Sequence, residues 1–461
     1  MAEHADVIVV GLGPGGEDAA GRLAEAGLDV VGIDGRLVGG ECPYWGCVPS
    51  KMMIRAANLL AEARRIPGMA GAAAVTPDWA PVARRIREDA TDNWDDRVAV
   101  ERLQQTGARF VRGFARLAGP GTVDVDGTIY EARRAVLLDV GTAPWAPPID
   151  GLDAGTYWTN HDAIEAETLP RSLAVLGGGA IGVELAQVFA RFGVKVDVVE
   201  LADRLLPPEE PESGALLAYV FAEEGIGVHV GVHIDRAHHD GATVTLELRD
   251  APAVQAERLL VATGRRPDLA ALGVAAIGID ESARAVPVDG HMRVTDGVWA
   301  IGDVVGHGAF THMSMYQAAI AVDDILGRKR PEAQYHAVPR VTFTDPEIGS
   351  VGLSEAAARD AGIEVRVGTT QIPSAARGWI HKAGNAGFIK LVEDARRGVL
   401  VGATSAGPTG GEVLGLLTLA VHAEVPTAEL RRMIYAYPTF HRAVEAALAD
   451  LVSGQGDPGR E

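Results

Sequence analysis

The stretch "ADVIVVGLGPGGEDAAGRLAEAG", residues 5–27, joins an apolar strand to a helix through a turn that contains Gly11, Gly13 and Gly16. The next apolar strand, "DVVGID", ends at Asp34. The first glycine permits the tight turn, the second lets the backbone approach a pyrophosphate, and the third lets the helix pack on the strand. The helix N-terminus attracts phosphate, and the acidic side chain accepts hydrogen bonds from ribose hydroxyls. The stretch therefore predicts a dinucleotide-binding unit.

The same pattern returns in "SLAVLGGGAIGVELAQVFARFGVKVDVVE", residues 172–200. Its glycines are Gly177, Gly179 and Gly182, and its second strand is followed by Glu200. A single glycine turn is a weak signal, because such turns are common. Two copies, each with strand, turn, helix, strand and terminal acid in the same order, are a strong one. Two bound dinucleotides are predicted, one for each copy.

The chain between and after these copies supports a duplicated α/β architecture. Short apolar strands precede Gly141 and Gly264, and each resembles the return of the chain from a nucleotide-binding unit. A helical stretch with arginine-rich polar faces is predicted at about 50–105. It is followed by a β-meander with a turn at Asp126-Gly127, and a second meander is predicted at 227–262.

The composition excludes several classes of protein. The formal net charge of −20 over 461 residues disfavours binding to nucleic acid or to an anionic membrane. The apolar runs fall short of the roughly 18 residues that a membrane-spanning helix needs. The first residues show neither a basic region nor a cleavage site, so the cytoplasm is the expected location. At about 150 residues per domain, the length predicts about three domains.

Cys42 and Cys47, the only cysteines, lie in "GGECPYWGCVPSK", residues 39–51. Three interpretations compete: two buried small side chains, half of a metal site, or a pair that alternates between dithiol and disulfide. Zinc prefers four ligands at closer spacing, and no further cysteine can complete such a set, so no metal is expected. Cytoplasmic thiols are kept reduced, which favours a catalytic or redox-sensing pair over a permanent disulfide.

Together these motifs resemble the class I FAD-dependent pyridine nucleotide-disulfide oxidoreductases, which include dihydrolipoamide dehydrogenase, glutathione reductase and mercuric reductase. The residues that carry the resemblance are "GLGPGG", "GGECPYWGCVPSK", "GGGAIGVE", "ATGRRPD", "VWAIGDV" and "VPRVTFTDPEIGSVGLSE". The resemblance implies an α/β fold with two Rossmann-like domains and a C-terminal α+β dimerisation domain. The implied FAD-binding domain is 1–145 with 271–335, the NAD(P)-binding domain is 146–270, and the dimerisation domain is 336–461.

The resemblance also implies roles for individual residues. Cys47 is the cysteine beside the flavin, Cys42 exchanges with the substrate, and Lys51 forms an ion pair with Glu184. Asp303 contacts the FAD ribityl chain, and a helix that begins near Thr311 points its positive end at the flavin. The complete FAD set implied by the resemblance is Gly11, Gly13, Gly16, Asp34, Gly40, Cys42, Cys47, Lys51, Gly113, Ala115, Gly141, Asp303, Thr311 and His312.

The second copy is expected to bind NAD(H). Glu200 lies where a carboxylate accepts a ribose 2′-hydroxyl and repels a 2′-phosphate, so NADH is favoured over NADPH. Arg204 follows closely, which leaves NADPH as an alternative. The implied NAD(P) residues are Gly177, Gly179, Ile181, Gly182, Glu200 and Gly264.

The C-terminal segment "MIYAYPTFHRAVEAAL" departs from the family pattern. Disulfide reductases of the family carry a histidine before Pro-Thr and a glutamate behind it, and the partner subunit's pair serves as acid and base. Here Tyr437 takes the place of the histidine and Arg442 that of the glutamate, and His441 is a second candidate for the acid-base role. A tyrosine with a pKa of about 10 is a poor base, whereas an imidazole at about 6.5 transfers protons easily. The tail "LVSGQGDPGRE" has no cysteines to deliver a mercuric ion.

The leading hypothesis is a homodimeric FAD enzyme that oxidises NADH and reduces a small disulfide or other thiol-reactive acceptor through Cys42. The partner subunit's C-terminal segment completes the active site. Three alternatives stay open: direct reduction of a quinone or dye by the flavin, dihydrolipoamide oxidation, and a slow flavin-bearing redox sensor.

Overall fold

The computed structural model describes residues 2–453, and the chain divides into two compact units. The first unit comprises the residues up to Met52, Ala83–Trp145 and Gly264–Tyr335. The second comprises Met53–Val82, Ala146–Thr263 and the residues from His336 onwards. The expectation about a C-terminal tail without cysteines falls mostly on residues 454–461, which lie outside the described residues. The boundaries of the three predicted domains stay predictions.

The first unit is built on a parallel sheet whose centre is the strand Glu3–Val10. This strand pairs in parallel with Val30–Asp34 on one side and with Thr128–Leu138 on the other. Val7 and Val9 pack into one apolar cluster and Ile8 and Val10 into another, so both faces of the strand are covered. A strand buried on both faces needs a continuous apolar run, which explains "VIVV".

The remaining elements of the first unit complete the nucleotide-binding fold and its meander. Asp126 and Gly127 both have positive φ and form the predicted turn between two antiparallel strands. The further strands are Arg109–Arg112, Ala115–Gly119, Thr122–Val125, Ala143–Pro144, Arg265–Arg266, Arg293–Thr295 and Val298–Ala300. The α-helices that lie wholly in this unit are Pro14–Glu25, Glu41–Tyr44, Arg97–Gln105, Leu269–Leu272 and Thr311–Ile325, and its short π- and 3₁₀-helices are Ile86–Ala90, Asp92–Trp94, Val274–Ile277 and Gly302–Val305. Cys47–Arg65 and Ala80–Arg85 begin in one unit and end in the other.

The second unit contains a parallel sheet in the order Gly227–His229, Lys195–Val199, Ser172–Leu176 and Arg258–Val261. A three-stranded antiparallel meander, Ile234–His239, Val244–Leu248 and Val254–Ala256, is inserted before the last of these strands. A five-stranded antiparallel sheet follows, in the order Pro339–Thr342, Glu347–Gly352, Val399–Gly407, Phe388–Asp394 and Val365–Gln371. The helices are Asn160–Glu165, Ala180–Arg191, Pro211–Glu223, Glu355–Asp360, Ala376–His381, Gly410–His422, Thr427–Arg432 and Arg442–Ser453.

The predicted fold class is confirmed, with two α/β nucleotide-binding sheets and a C-terminal α+β part. Two sequence predictions need correction. The helical stretch expected at about 50–105 is broken between Arg65 and Ala80, where prolines and glycines such as Pro67 and Gly68 interrupt the helix. In the meander expected at 227–262, the first and last strands belong to the parallel sheet. Among residues 2–453, no helix combines the length and apolarity needed to cross a membrane.

Candidate active site

The first glycine turn is shaped by close backbone contacts that a side chain would block. A Cβ on Gly11, which has a φ of 86°, would collide with the carbonyl of Asp139, and one on Gly16 would collide with the carbonyl of Gly11. The helix Pro14–Glu25 begins after Gly13 with no side chain capping its first turn. The turn therefore presents helix N–H groups and small residues, which is the arrangement that suits a pyrophosphate.

The acidic residue at the end of the second strand accepts hydrogen bonds from corresponding backbone N–H groups in both copies. Asp34 accepts hydrogen bonds from the backbone N–H of Leu12 at 2.7 Å and of Arg36 at 2.7 Å. Glu200 accepts from Gly178 at 2.6 Å and from Ala202 at 2.7 Å. In each copy the carboxylate thus holds the residue after the first glycine. Each carboxylate oxygen has a second lone pair that a ribose hydroxyl can use.

Other predicted FAD residues lie around the first turn. A Cβ on Gly40 would come within 2.9 Å of Gly13 Cα, and Gly113 donates its N–H to the Asp34 carbonyl at 3.0 Å. Ala115 begins the strand that follows Gly113. Burial raises the pKa of the Asp34 carboxyl, and its two backbone hydrogen bonds oppose that shift.

A chain of polar contacts connects Asp303, the residue expected to contact the FAD ribityl chain, to the segment that contains the two cysteines. Thr142, next to Gly141, donates its hydroxyl to Asp303 Oδ2 at 3.0 Å. Arg265 donates from Nε to Thr142 Oγ1 at 3.1 Å and from Nη2 to the Thr142 carbonyl at 2.6 Å. Its Nη2 also lies 3.4 Å from Oε2 of Glu41, the residue before Cys42. Burial raises the pKa of Asp303, and the Thr142 hydroxyl and the Arg265 charge oppose that shift.

The two cysteines lie at the starts of consecutive helices. Cys42 lies in Glu41–Tyr44, and Cys47 is the first residue of Cys47–Arg65. Both are free thiols. Cys47 Sγ lies 3.6 Å from Oγ1 of Thr311, which begins the predicted helix Thr311–Ile325. The ring of His312 stacks on that of Phe310 at the same helix end, with centroids 5.1 Å apart.

The two thiols differ strongly in acidity. A hydrogen bond from Cys42, the hydroxyl of Thr311 and the positive charge of Lys51 together lower the pKa of Cys47 to about 6, against the opposing effect of burial. The same hydrogen bond to Cys47, together with burial, raises the pKa of Cys42 well above its usual range. Near neutral pH, Cys47 is therefore a thiolate and Cys42 keeps its proton.

The second glycine turn repeats the geometry of the first. A Cβ on Gly177 would collide with the carbonyl of Ala262, and one on Gly182 with the carbonyl of Gly177. The helix Ala180–Arg191 begins after Gly179, again with no side-chain cap, and Ile181 in its first turn is exposed. Of the predicted NAD(P) residues, Gly264 alone belongs to the first unit.

Of the remaining predicted catalytic residues, Lys51 lies in the same helix as Cys47, and Glu184, Tyr437 and His441 lie far from the cysteines in the sequence. Lys51 belongs to the first unit and Glu184 to the second, and their ion pair stays a prediction. Glu184 is buried and accepts a hydrogen bond from the Phe343 N–H at 2.8 Å. Tyr437 is 69% exposed, and its ring lies 5.4 Å from the guanidinium of Arg442. His441 is exposed and lies just before the helix that begins at Arg442.

The first unit fits FAD in its shape and in its donor set. The glycines allow a tight turn that leaves the first turn of the helix Pro14–Glu25 without a side-chain cap, Asp34 offers a carboxylate at the end of the second strand, and the uncapped end of the helix at Thr311 faces Cys47. The residues that would hold FAD are those of the glycine turn, Asp34, Gly113 and Asp303. Within residues 2–453, no group of three or more His, Cys, Asp or Glu side chains is placed to bind a metal ion.

Comparison with known proteins identifies the family. Residues 5–323 match the pyridine nucleotide-disulphide oxidoreductase family, and residues 338–448 match the dimerisation domain of that family. The chain therefore belongs to the pyridine nucleotide-disulphide oxidoreductases and is a flavoprotein disulfide oxidoreductase with FAD as its flavin cofactor.

Similar proteins carry the names of more than one enzyme of this family. A dihydrolipoyl dehydrogenase from Chlorobaculum tepidum is 34% identical, over 99% of this chain and 99% of that protein. A mercuric reductase from Streptomyces lividans is 32% identical, over 97% of this chain and 96% of that protein. Among solved structures, a copper(II) complex of a mutant of the HOCl-induced flavoprotein disulfide reductase RclA from Escherichia coli has a TM-score of 0.85 and 25% identity, and covers 98% of this chain and 99% of that chain.

Sequence reasoning missed several polar residues that the structure brings to the site. These residues are Glu41, Asp139, Thr142 and Arg265. Thr142 and Arg265 follow the two glycines that the sequence singled out, but nothing in their spacing predicts that they meet. Asp139 could have been singled out from the sequence, because the corresponding residue after the strand of the second copy is an alanine, Ala262.

Proposed function

We propose that the protein oxidises NADH and reduces a small disulfide, or another thiol-reactive acceptor, through a redox-active Cys42–Cys47 pair. The observation that supports this most directly is geometric: Cys47 begins one helix, and its Sγ lies 3.6 Å from Oγ1 of Thr311 at the N-terminus of another, a setting that lowers the pKa of Cys47. A pair with one stable thiolate and one protonated thiol suits stepwise thiol exchange. Bound FAD supplies the carrier that accepts hydride from NADH and passes an electron pair on.

In the proposed cycle, two electrons from NADH break the Cys42–Cys47 disulfide and leave Cys47 as a thiolate and Cys42 as a thiol. Cys42 attacks one sulfur of the acceptor disulfide while its proton passes to the departing thiolate, which forms a mixed disulfide and releases one thiol. Cys47 then attacks Cys42, which releases the second thiol and restores the original disulfide. The sum is one NADH, one proton and one disulfide converted to NAD⁺ and two thiols.

The proton of Cys42 needs an acceptor during the exchange step. Cys47 is a poor acceptor for it, because the pKa of Cys47 is lowered and that of Cys42 is raised, and the thiolate that leaves the acceptor disulfide is the stronger base. Tyr437 of the partner subunit would position the acceptor by hydrogen bonding rather than by taking the proton, because a phenol is a weak base at neutral pH. This division of roles would explain how the chain operates without the histidine of its relatives.

The proposal includes three further features. NADH is the favoured donor: the Glu200 carboxylate is held against the second turn by the Gly178 N–H, and at the ribose position implied by the resemblance it would repel a 2′-phosphate. The active form is a homodimer, in keeping with the matched dimerisation domain at 338–448. A cytoplasmic location provides the reducing conditions in which such a pair turns over.

A thiophilic metal ion is a second candidate acceptor. The support comes from the relatives: one solved structure is a copper(II) complex of a cysteine-to-serine mutant of RclA, and mercuric reductases are among the similar proteins. The two sulfurs of Cys42 and Cys47 would bind the ion in place of a disulfide. The same two thiols would then act on both kinds of acceptor. Assays with a panel of acceptors can distinguish disulfide reduction from metal-ion reduction.

The experiment is an acceptor screen on the purified yellow protein with NADH as donor. The panel contains small disulfides, copper(II), mercury(II) and a benzoquinone, each assayed with the wild type and with Cys42→Ser. We expect the variant to lose disulfide reduction at least a hundredfold, because a serine hydroxyl is not ionised at neutral pH. Quinone reduction should stay within about threefold if the flavin reduces quinones directly.

The matched control is Ser282→Ala, an exposed position in the first unit that should leave every rate unchanged. Disulfide reduction by Cys42→Ser at the wild-type rate would refute the proposal. Wild-type activity with quinones alone would support the direct flavin route. Reduction by NADH at far below about 1 per second would support the redox sensor.

A further inference from the structure

The two copies of the nucleotide-binding pattern differ at one position beside the first glycine, where the first copy has Asp139 and the second has Ala262. Asp139 follows the strand Thr128–Leu138, and Ala262 follows the strand Arg258–Val261. The carbonyl of each residue occupies the space that a Cβ on the first glycine of its turn would need. An alanine fulfils this role in the second copy, so the carboxyl of Asp139 needs a separate explanation.

The carboxyl of Asp139 lies directly beneath the phosphate-binding turn. Its Oδ2 accepts a hydrogen bond from the Gly16 N–H at 2.6 Å, and its Oδ1 accepts one from Ser314 Oγ at 3.1 Å. A Cβ on Gly13 would lie 3.0 Å from Oδ2. Asp139 is only 7% exposed, so the turn and the carboxyl share a dry environment.

The charged groups around Asp139 are acidic. Asp34 faces it from the end of one strand, and Asp303 faces it from the turn Gly302–Val305, and both charges raise the pKa of Asp139. The helices Pro14–Glu25 and Thr311–Ile325 face it with an N–H and a hydroxyl. Burial is the largest cause and raises this pKa to about 8, against those two hydrogen bonds.

We propose that Asp139 is an FAD-positioning residue that acts as a neutral carboxylic acid, so that binding of FAD at alkaline pH takes up one proton at this side chain. The pyrophosphate of FAD brings two negative charges to the N-terminus of Pro14–Glu25, and an ionised carboxylate at the same place would repel them. The protonated form can donate from Oδ1 to Ser314 Oγ, because a hydroxyl both donates and accepts. The inference depends on FAD binding, which is a property of the family, and not on the identity of the acceptor.

The experiment measures FAD affinity by diluting the holoenzyme and following flavin fluorescence between about pH 7 and about pH 9.5. The dissociation constant of the wild type should be constant below about pH 8 and rise by up to about tenfold per pH unit above it. In Asp139→Asn, which keeps the shape and cannot ionise, the constant should stay flat. In a weakly buffered solution, FAD release at alkaline pH should also release a proton from the wild type and not from the variant.

The matched control is Glu25→Gln, which makes the same carboxyl-to-amide change at the exposed C-terminal end of the helix Pro14–Glu25 and should keep the wild-type slope. A second variant, Asp139→Ala, introduces the residue that the second copy carries, and it decides the question if Asp139→Asn does not fold. A flat wild-type curve would overturn the proposal, as would variants that follow the wild-type slope.

Discussion

Cys47 Sγ and Thr311 Oγ1 lie 3.6 Å apart, although 264 positions separate the two residues in the chain. Thr311 is the first residue of a 15-residue helix that has no side-chain cap. The positive end of that helix and the hydroxyl therefore face the same sulfur, and both stabilise its negative charge. Of the two cysteines, Cys47 is therefore the one whose thiolate form is stabilised by its surroundings.

We expect Thr311→Val to raise the pKa of Cys47 by about one unit from its value of about 6. A hydrogen bond to a charged group contributes about 1.5–3 kcal/mol, and one pKa unit corresponds to about 1.4 kcal/mol, so a long sulfur contact lies at the lower end. The measurement is the pH dependence of alkylation in the reduced protein, supported by the ultraviolet absorbance of the thiolate. Thr295→Val, at an exposed strand position, should leave the midpoint unchanged. If the midpoint does not shift in Thr311→Val, the lowered pKa of Cys47 is due to Cys42 and Lys51 alone.

The sequence predicts the nucleotide-binding part of this fold well because its signals are local. The strand, turn, helix and terminal acid of each copy lie within about thirty residues, so the spacing of Gly11 and Asp34 carries the geometry. The contacts that tune the site are not local. Asp139, Thr142 and Arg265 each meet partners more than one hundred positions away, and no periodicity encodes such meetings.

Glu200→Gln should weaken discrimination between NADH and NADPH. The amide keeps the shape and one acceptor oxygen for the turn, but it removes the charge that repels a 2′-phosphate. We expect the ratio of kcat/KM for NADH to that for NADPH to fall by at least about tenfold, which corresponds to about 1.4 kcal/mol. Glu223→Gln, on an exposed helix position of the same unit, is the matched control. An unchanged ratio would mean that Glu200 supports the turn without selecting the donor.

Lys390 is a buried cation held by three carboxylates. Its Nζ lies 2.9 Å from Glu210, 2.7 Å from Glu212 and 3.0 Å from Glu355, and Lys390 and Glu210 are each 3% exposed. Lys390→Met should cost about 3–5 kcal/mol of stability, because Glu210 would stay buried without its cation. The measurement is thermal unfolding, with Lys329→Met at an exposed position as the control.

The effect of Lys390→Met should also depend on pH. Hydrogen bonds from Arg359 and Lys390 hold the pKa of Glu355 below its usual value, so this stabilisation is present at neutral pH and is lost as the pH falls through the folded-state pKa. The difference between wild type and variant should therefore be largest near pH 7 and shrink below about pH 4. A difference that grows on acidification would contradict the assignment of the loss to unpaired carboxylates.

Tyr437 provides the sharpest test of the departure from the family pattern. Tyr437 is exposed beside the guanidinium of Arg442 and offers a hydroxyl that can orient a ligand, whereas an imidazole is the side chain suited to proton transfer near pH 7. Tyr437→His should therefore raise dihydrolipoamide oxidation, and Tyr437→His combined with Arg442→Glu should raise it further, because the carboxylate would stabilise the imidazolium. General acid-base catalysis typically contributes about 10²–10⁴-fold, and we expect the single variant to gain about tenfold because its imidazole has no carboxylate partner.

Tyr437→Phe is the matched control and should show no gain. If neither histidine variant gains activity, position 437 does not face the exchange thiol, and the acid-base assignment based on the resemblance is wrong.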